Sequence, residues 1–308
     1  MTPEWADLLC FNVDVAEQVC SIEIVEDPIR RARERGSAEF PDPHWEMFKL
    51  LSHVRLDNGI RVVVISGETD GKFMRVEPFA KGDADPTLIY KMMDADAHWT
   101  ASAGIVHMHK AMAELDRPII AKVNGDALGL GASFVFAADL IVAAEDARIA
   151  DNHMGAGEVQ PALLAHSVVP GDGGAALMPL HLSPALAKEY LMLAREYSGR
   201  ELAEMGVINY AVPMDRLDSL VDSLTTRLLK RNAHALAWTK RVANKHIVDQ
   251  LNRTLDAGVG YELLNFYQLS AEGEERFILK RPVADPGRLM TSRGRDAEVG
   301  AGSAGAAS

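Results

Sequence analysis

From Pro118 to Ala132 the chain reads Pro-Ile-Ile-Ala-Lys-Val-Asn-Gly-Asp-Ala-Leu-Gly-Leu-Gly-Ala, a run that few folds accommodate. The β-branched stretch Ile119 to Val123 predicts a buried strand, the glycines a turn, and the small residues from Ala132 to Ala138 a helix. A strand that enters a helix through glycine leaves unpaired backbone N–H groups at the helix start, aimed into one small space. Such a space suits developing negative charge. Glycine at 125, 129 and 131 also lets the backbone approach a ligand or a second strand closely.

Strand and helix patterns alternate on both sides of this run. Residues 18–25 and 60–65 predict strands, and His44 to His53 predicts an amphipathic helix from apolar residues at 47, 48, 50 and 51. The charged stretch from Asp27 to Pro43 reads as a solvated connection and Asp70 to Asp85 as a loop. Helical spacing returns over 87–115, followed after the glycine turn by strands at 140–144 and 147–150 and a long loop over 151–167. Helices follow at 186–194 and 198–205, the second with Glu201 in its first turn. Beyond residue 216 the pattern is helical only, over 217–229, 233–248 and 251–270. We therefore expect an α/β core over 1–215, a helical and oligomerising region over 216–290, and a disordered Gly/Ser/Ala tail over 291–308. Leu217, Leu220, Leu224 and Leu228 form an apolar helix face that a short core is not expected to cover.

The 308 residues carry 48% hydrophobic and 25% charged side chains, enough for a sizeable core. A net charge of −12 argues against nucleic acid and anionic membrane surfaces as partners. Two cysteines, Cys10 and Cys20, and a start without a basic, apolar leader lead to the expectation of a cytoplasmic protein. His107 and His109, two residues apart, diverge around a helix and do not share an ion, so no metal site and no cofactor are expected.

Two further segments complete a pattern with the glycine turn: Ala138-Asp-Leu-Ile-Val-Ala143 and Val168-Val-Pro-Gly-Asp-Gly-Gly174. Together, over roughly residues 55 to 215, they resemble the crotonase (enoyl-CoA hydratase/isomerase) superfamily. The resemblance implies a ββα spiral core with a helical C-terminal region and an oxyanion hole that stabilises an enolate. Matched motif to motif, its donors are the backbone N–H groups of Glu77 and Leu130, with Gly129, Gly131 and Ser133 lining the substrate. The two glutamates that hydratases of this family use are absent. Ser133 stands in the first place, and Ile149-Ala-Asp-Asn-His153 covers the second; in another register Glu158 supplies that carboxylate. Serine without an adjacent base is a poor proton carrier.

His153, Asp172 within Val-Pro-Gly-Asp-Gly, and Glu262 within Gly-Val-Gly-Tyr-Glu instead resemble the carbon–carbon bond hydrolases of the superfamily, typified by oxocamphor hydrolase. That branch implies a histidine base oriented by aspartate, which activates water against one carbonyl of a cyclic or bulky β-diketone. His44 matches a further active-site histidine. The bland readings are a surface His153, an N-cap Asp172, a solvated Glu262 and an N-cap His44. Two rival functions stand beside the hydrolase: an acyl-CoA hydratase or isomerase, and a non-catalytic protein of this fold. Arg30, Arg31, Arg33 and Arg35 keep coenzyme A phosphates in view as ligands. The resemblance also implies a homotrimer or hexamer, with a small-molecule carbonyl compound as substrate.

Overall fold

The computed structural model describes residues 5–37, 41–75, 95–154 and 167–271. Among them, ten strands divide between two sheets. In chain order the strands are β1 (Phe11–Ala16), β2 (Val19–Ile24), β3 (Val62–Gly67), β4 (Gly71–Arg75), β5 (Ile119–Val123), β6 (Gly125–Leu128), β7 (Leu140–Ala144), β8 (Arg148–Ala150), β9 (Tyr197–Ser198) and β10 (Tyr210–Val212). The helices are α1 (Pro28–Glu34), α2 (Pro43–Leu56), α3 (Ala95–Glu114), α4 (Leu130–Phe136), α5 (Gly174–His181), α6 (Pro184–Met192), α7 (Gly199–Glu204), α8 (Met214–Leu229), α9 (Ala233–Ala243) and α10 (Lys245–Ala271). No helix among the described residues is long and apolar enough to cross a membrane.

One sheet has six strands in the order β1-β2-β3-β5-β7-β10, the other four in the order β4-β6-β8-β9. Each long strand of the first sheet is followed at once by a short strand of the second: β3 by β4, β5 by β6, β7 by β8. After β4 the chain returns through α3, and after β6 through α4. The chain therefore winds as a ββα spiral. Strand β3 is buried along its whole length, the pattern of a parallel strand covered on both faces. At the corner between the sheets, Gly125 lies so close to the β4 corner that an added Cβ would fall 1.9 Å from the Gly71 carbonyl carbon. Only glycine lets two backbones stack there. Asn124 seals the same corner, accepting from Gly67 N–H at 2.9 Å and donating to Gly67 O at 3.0 Å.

Several boundaries differ from the sequence expectation. Residues 18–25 are the second arm of a hairpin, with β1 as its unforeseen partner. The charged connection holds a helix, α1, capped by the Asp27 side chain. Part of the expected loop after Asp70 is β4. The turn after Val123 contains β6, so the helix starts at Leu130 rather than Ala132. Helix α5 was not foreseen, and the expected helix over 233–248 breaks at Asn244, the C-cap of α9. The expected helical residues 87–94, most of the 151–167 loop and the 291–308 tail lie outside the described residues.

The apolar face of α8 also corrects an expectation. Leu217, Val221 and Leu224 are buried against Val62, Val64, Ile120 and Val142, with Leu220 and Leu228 packed at the margin. The chain's own six-stranded sheet covers that face. Exposed apolar side chains lie on the last two helices, at Trp238, Val242, Tyr261 and Leu264, and also at Leu56, Met192 and Leu193. Cys10 and Cys20, both free and buried, belong to the first hairpin and its approach.

Candidate active site

The glycine turn closes the end of β6. Gly129 takes φ +57°, and no side chain caps the first turn of α4. Ala132 and Ser133 N–H groups bond back to Gly129 O at 2.9 and 3.3 Å. That leaves the N–H groups of Leu130 and Gly131, the first two of the helix, as the ones a ligand oxygen can use. Gly131 sits under the backbone of β4, where a Cβ would lie 2.5 Å from Met74 O. Strands β4 and β6 pair in parallel with Arg75 beside Leu128, which brings the end of β4 next to the turn. The expected second donor, Glu77, lies outside the described residues, as does Glu158.

Three elements bring the proton-carrying groups to this turn: the segment after β8, the N-terminal approach to α5, and α10. His153 is 4% exposed, Asp172 5% and Glu262 8%, so none of them is a surface residue. His153 Nε2 lies 3.5 Å from Asp172 Oδ2 and 3.8 Å from Glu262 Oε1. Ser133 Oγ donates to the other Asp172 oxygen at 3.3 Å. The two positions that carry glutamates in hydratases thus meet at Asp172. A Cβ on Gly129 would lie 4.0 Å from His153 Cε1, so the imidazole edge reaches the turn.

One role differs from the sequence expectation. The partner that fixes His153 is Asp151, whose Oδ1 lies 2.7 Å from Nδ1 and also accepts from His153 N–H at 3.1 Å. A carboxylate on Nδ1 sets the tautomer and leaves Nε2 for chemistry. Asp172, expected as that partner, faces Nε2 instead. The Asp-x-His spacing in Asp151-Asn-His153 is the signal that points to it.

Burial disfavours the His153 cation, yet Asp172, Asp151 and Glu262 outweigh it and hold the imidazole pKa well above its usual 6.5. Burial, with Asp172 and Asp151 adding and His153 opposing, raises the Glu262 carboxyl to about 8. Both shifts favour the protonated forms, the imidazolium of His153 and the neutral carboxyl of Glu262. The donor atoms of Asp151, His153 and Asp172 lie within 4.8 Å of one another, a spacing that a metal ion could also use.

His44 stands apart from this cluster. It opens α2, with Nδ1 3.4 Å from Asp42 Oδ1, the helix cap, while its Nε2 is buried without a partner among the described residues. His107 and His109 do diverge: His107 stacks on Phe48 at 4.9 Å, whereas His109 points at Gly173.

A ββα spiral with a glycine turn beside buried ionisable groups is the arrangement that one enzyme family shares. The family model for enoyl-CoA hydratase/isomerase matches residues 42–284, and the chain belongs to that family. Carnitinyl-CoA dehydratase of Salmonella enteritidis is 28% identical over 264 residues, spanning 83% of this chain and 93% of that protein. An enoyl-CoA hydratase/isomerase from Mycobacterium paratuberculosis has the same fold with a TM-score of 0.68 at 26% identity, over 84% of this chain and 95% of its own. A β-diketone hydrolase from the cyanobacterium Anabaena, bound to (S)-3-oxocyclohexyl acetic acid, shares the fold with a TM-score of 0.69 at 18% identity, over 87% and 98%.

Proposed function

We propose that this crotonase-superfamily enzyme hydrolyses a carbon–carbon bond in a cyclic or bulky β-diketone. The observation that carries the reading is His153, clamped by Asp151 on Nδ1 and facing Asp172 and Glu262 through Nε2, beside the glycine turn. In the proposed reaction, water attacks one carbonyl carbon and gives a proton to neutral His153 Nε2. The resulting oxyanion is held by Leu130 N–H, with Glu77 N–H as second donor; each such donor is worth about 3–4 kcal/mol. The bond to the carbon between the carbonyls then breaks. Its electron pair moves onto the second carbonyl as an enolate, and protonated Glu262 returns a proton to that carbon. A carboxylic acid and a ketone leave.

Water activation requires His153 to lose its proton, so turnover should rise as pH climbs past the ordinary histidine range. The acid role requires Glu262 to keep its proton, so turnover should fall above about 8.

The 28%-identical carnitinyl-CoA dehydratase favours a second reading, an acyl-CoA hydratase or isomerase. Two of the arginines that kept coenzyme A in view bond within the chain: Arg31 to Asn12 Oδ1 at 2.8 Å, and Arg35 to Leu8 O at 3.0 Å. Arg30 pairs with Glu34 at 3.9 Å. Calorimetry with acetoacetyl-CoA, run beside turnover of a bicyclic 1,3-diketone, separates the readings. Micromolar affinity for the thioester with no diketone cleavage would sink the hydrolase. We also propose a homotrimer or hexamer, supported by the exposed apolar side chains of α9 and α10; sedimentation as a monomer at micromolar concentration would remove that proposal.

A further inference from the structure

Asp172 takes no step in the reaction above, although it is buried and faces the base: its Oδ2 lies 3.5 Å from His153 Nε2. Its other oxygen, Oδ1, accepts from Ser133 Oγ at 3.3 Å, and among the described residues no second hydrogen bond reaches the carboxylate. The two oxygens of one planar group therefore face two different partners. Rotation about the bond that carries the carboxylate would exchange them. A donor fixed at Oδ1 stops that rotation and keeps Oδ2 towards the imidazole.

The donor stands on a fixed base. Ser133 is buried in α4, the helix whose first two N–H groups, at Leu130 and Gly131, a ligand oxygen can use. Its own N–H bonds back to Gly129 O at 3.3 Å. Gly131 wedges the start of α4 under β4, where a Cβ would lie 2.5 Å from Met74 O. On the other side the turn that carries Asp172 is held by α10, since a Cβ on Gly171 would lie 2.5 Å from Gly258 O. The Ser133–Asp172 bond thus joins two held elements, the one that receives an oxyanion and the one that faces the base. A serine hydroxyl has a single hydrogen, and this one is given to Asp172 instead of to a substrate carbonyl.

We infer that Ser133 is a positioning residue and does not bind the substrate: by donating to Asp172 Oδ1 it aims Oδ2 at His153 Nε2 and sets the spacing between oxyanion turn and base. Asp172 then stabilises the imidazolium that forms as His153 takes the proton of the attacking water. An interaction that strengthens only in the transition state raises kcat and leaves KM alone. This deepens the hydrolase reading and rests on it for the reaction, but the link between Ser133 and His153 can be measured without turnover.

The test compares full-length wild type, Ser133→Ala and Ser133→Thr with a bicyclic 1,3-diketone as substrate. Ser133→Ala should lower kcat by roughly tenfold or more with KM unchanged, and Ser133→Thr, which keeps the hydroxyl, should recover most of the loss. Imidazole ¹⁵N NMR supplies the arm without substrate: the His153 Nε2 resonance should move in Ser133→Ala, with that of the exposed His234 unchanged. A wild type that cleaves no diketone would count against the hydrolase reading alone, and the NMR comparison would still decide this one. A raised KM with unchanged kcat would return Ser133 to the substrate. An unmoved His153 resonance in Ser133→Ala, or a folded Ser133→Thr no more active than Ser133→Ala, would overturn the inference.

Discussion

Asp151 separates the two things His153 needs, a tautomer and a proton affinity. Asparagine at 151 keeps the shape but removes a negative charge and the preference for Nδ1–H. Turnover of Asp151→Asn should fall by about two to four orders of magnitude, and the rising limb of the pH profile should move to lower pH. A variant with an unshifted limb and near-normal turnover would return the orienting role to Asp172. Glu262 gives a prediction that needs no substrate. The folded chain keeps its proton up to about 8, whereas a free glutamate loses it near 4.5. Between those values the folded state binds more protons than the unfolded one, so stability falls as pH rises, by up to about 1.4 kcal/mol per unit. Above about 8 the slope ends. His153, whose pKa is also raised, contributes a loss of the same sign above 6.5. Glu262→Gln removes the first contribution and weakens the second, since Glu262 helps raise the His153 pKa, so its stability relative to the wild type should improve steadily from pH 5 to pH 8 in urea titrations. A constant difference would mean that Glu262 is not protonated in the fold.

At the scale of elements, a buried ion pair helps tie the helical C-terminal region to the spiral. Lys240 of α9 reaches Asp139, just before β7, at 2.6 Å and also donates to Arg117 O at 3.0 Å. Asp139 accepts from Ile119 N–H at 2.7 Å, at the start of β5. Burial lowers the lysine pKa and raises the aspartate pKa, so each charge depends on the other. Lys240→Met should destabilise by about 3–5 kcal/mol, and much less when combined with Asp139→Asn. Chemical denaturation of the two single variants and the double variant closes the cycle, and additive losses would show that the pair is not coupled. These elements also show what could be read beforehand. The strands β5 and β7 were legible to the residue because β7 is an unbroken apolar run and β5 is interrupted only by Lys122. Helix α7 was legible through Ser198 and Glu201, which form a capping box. The first hairpin was not, because Glu17 and Gln18 turn it with positive φ and no Asn-Gly signal is present. Helix α1 buries only Ala32, so caps rather than an apolar stripe define it. Pro179 inside α5 likewise hid a helix. In the site, His153, Asp172, Ser133 and Leu130 were legible because they fall on motif positions.

Across the whole molecule the site draws on residues from 129 to 262, so it exists only when spiral and C-terminal helix are both in place. Helix α10 meets the Asp172 turn backbone to backbone: a Cβ on Gly171 would lie 2.5 Å from Gly258 O and 2.6 Å from Glu262 Oε2. Gly171→Ala should therefore push α10 away and lower turnover together with melting temperature; unchanged values would show that the contact has slack. At the other end of the chain, the buried thiols of the first hairpin have a practical consequence. Burial, joined by Glu46 and Asp42, raises the Cys10 pKa well above its ordinary value, and burial raises that of Cys20 to about 12. A thiol reacts with an alkylating reagent as the thiolate, and only where the reagent can reach it. The native protein therefore carries two silent reporters. The rate at which iodoacetamide labels them is a clock for how often the amino-terminal edge of the large sheet opens, with no probe to be engineered in.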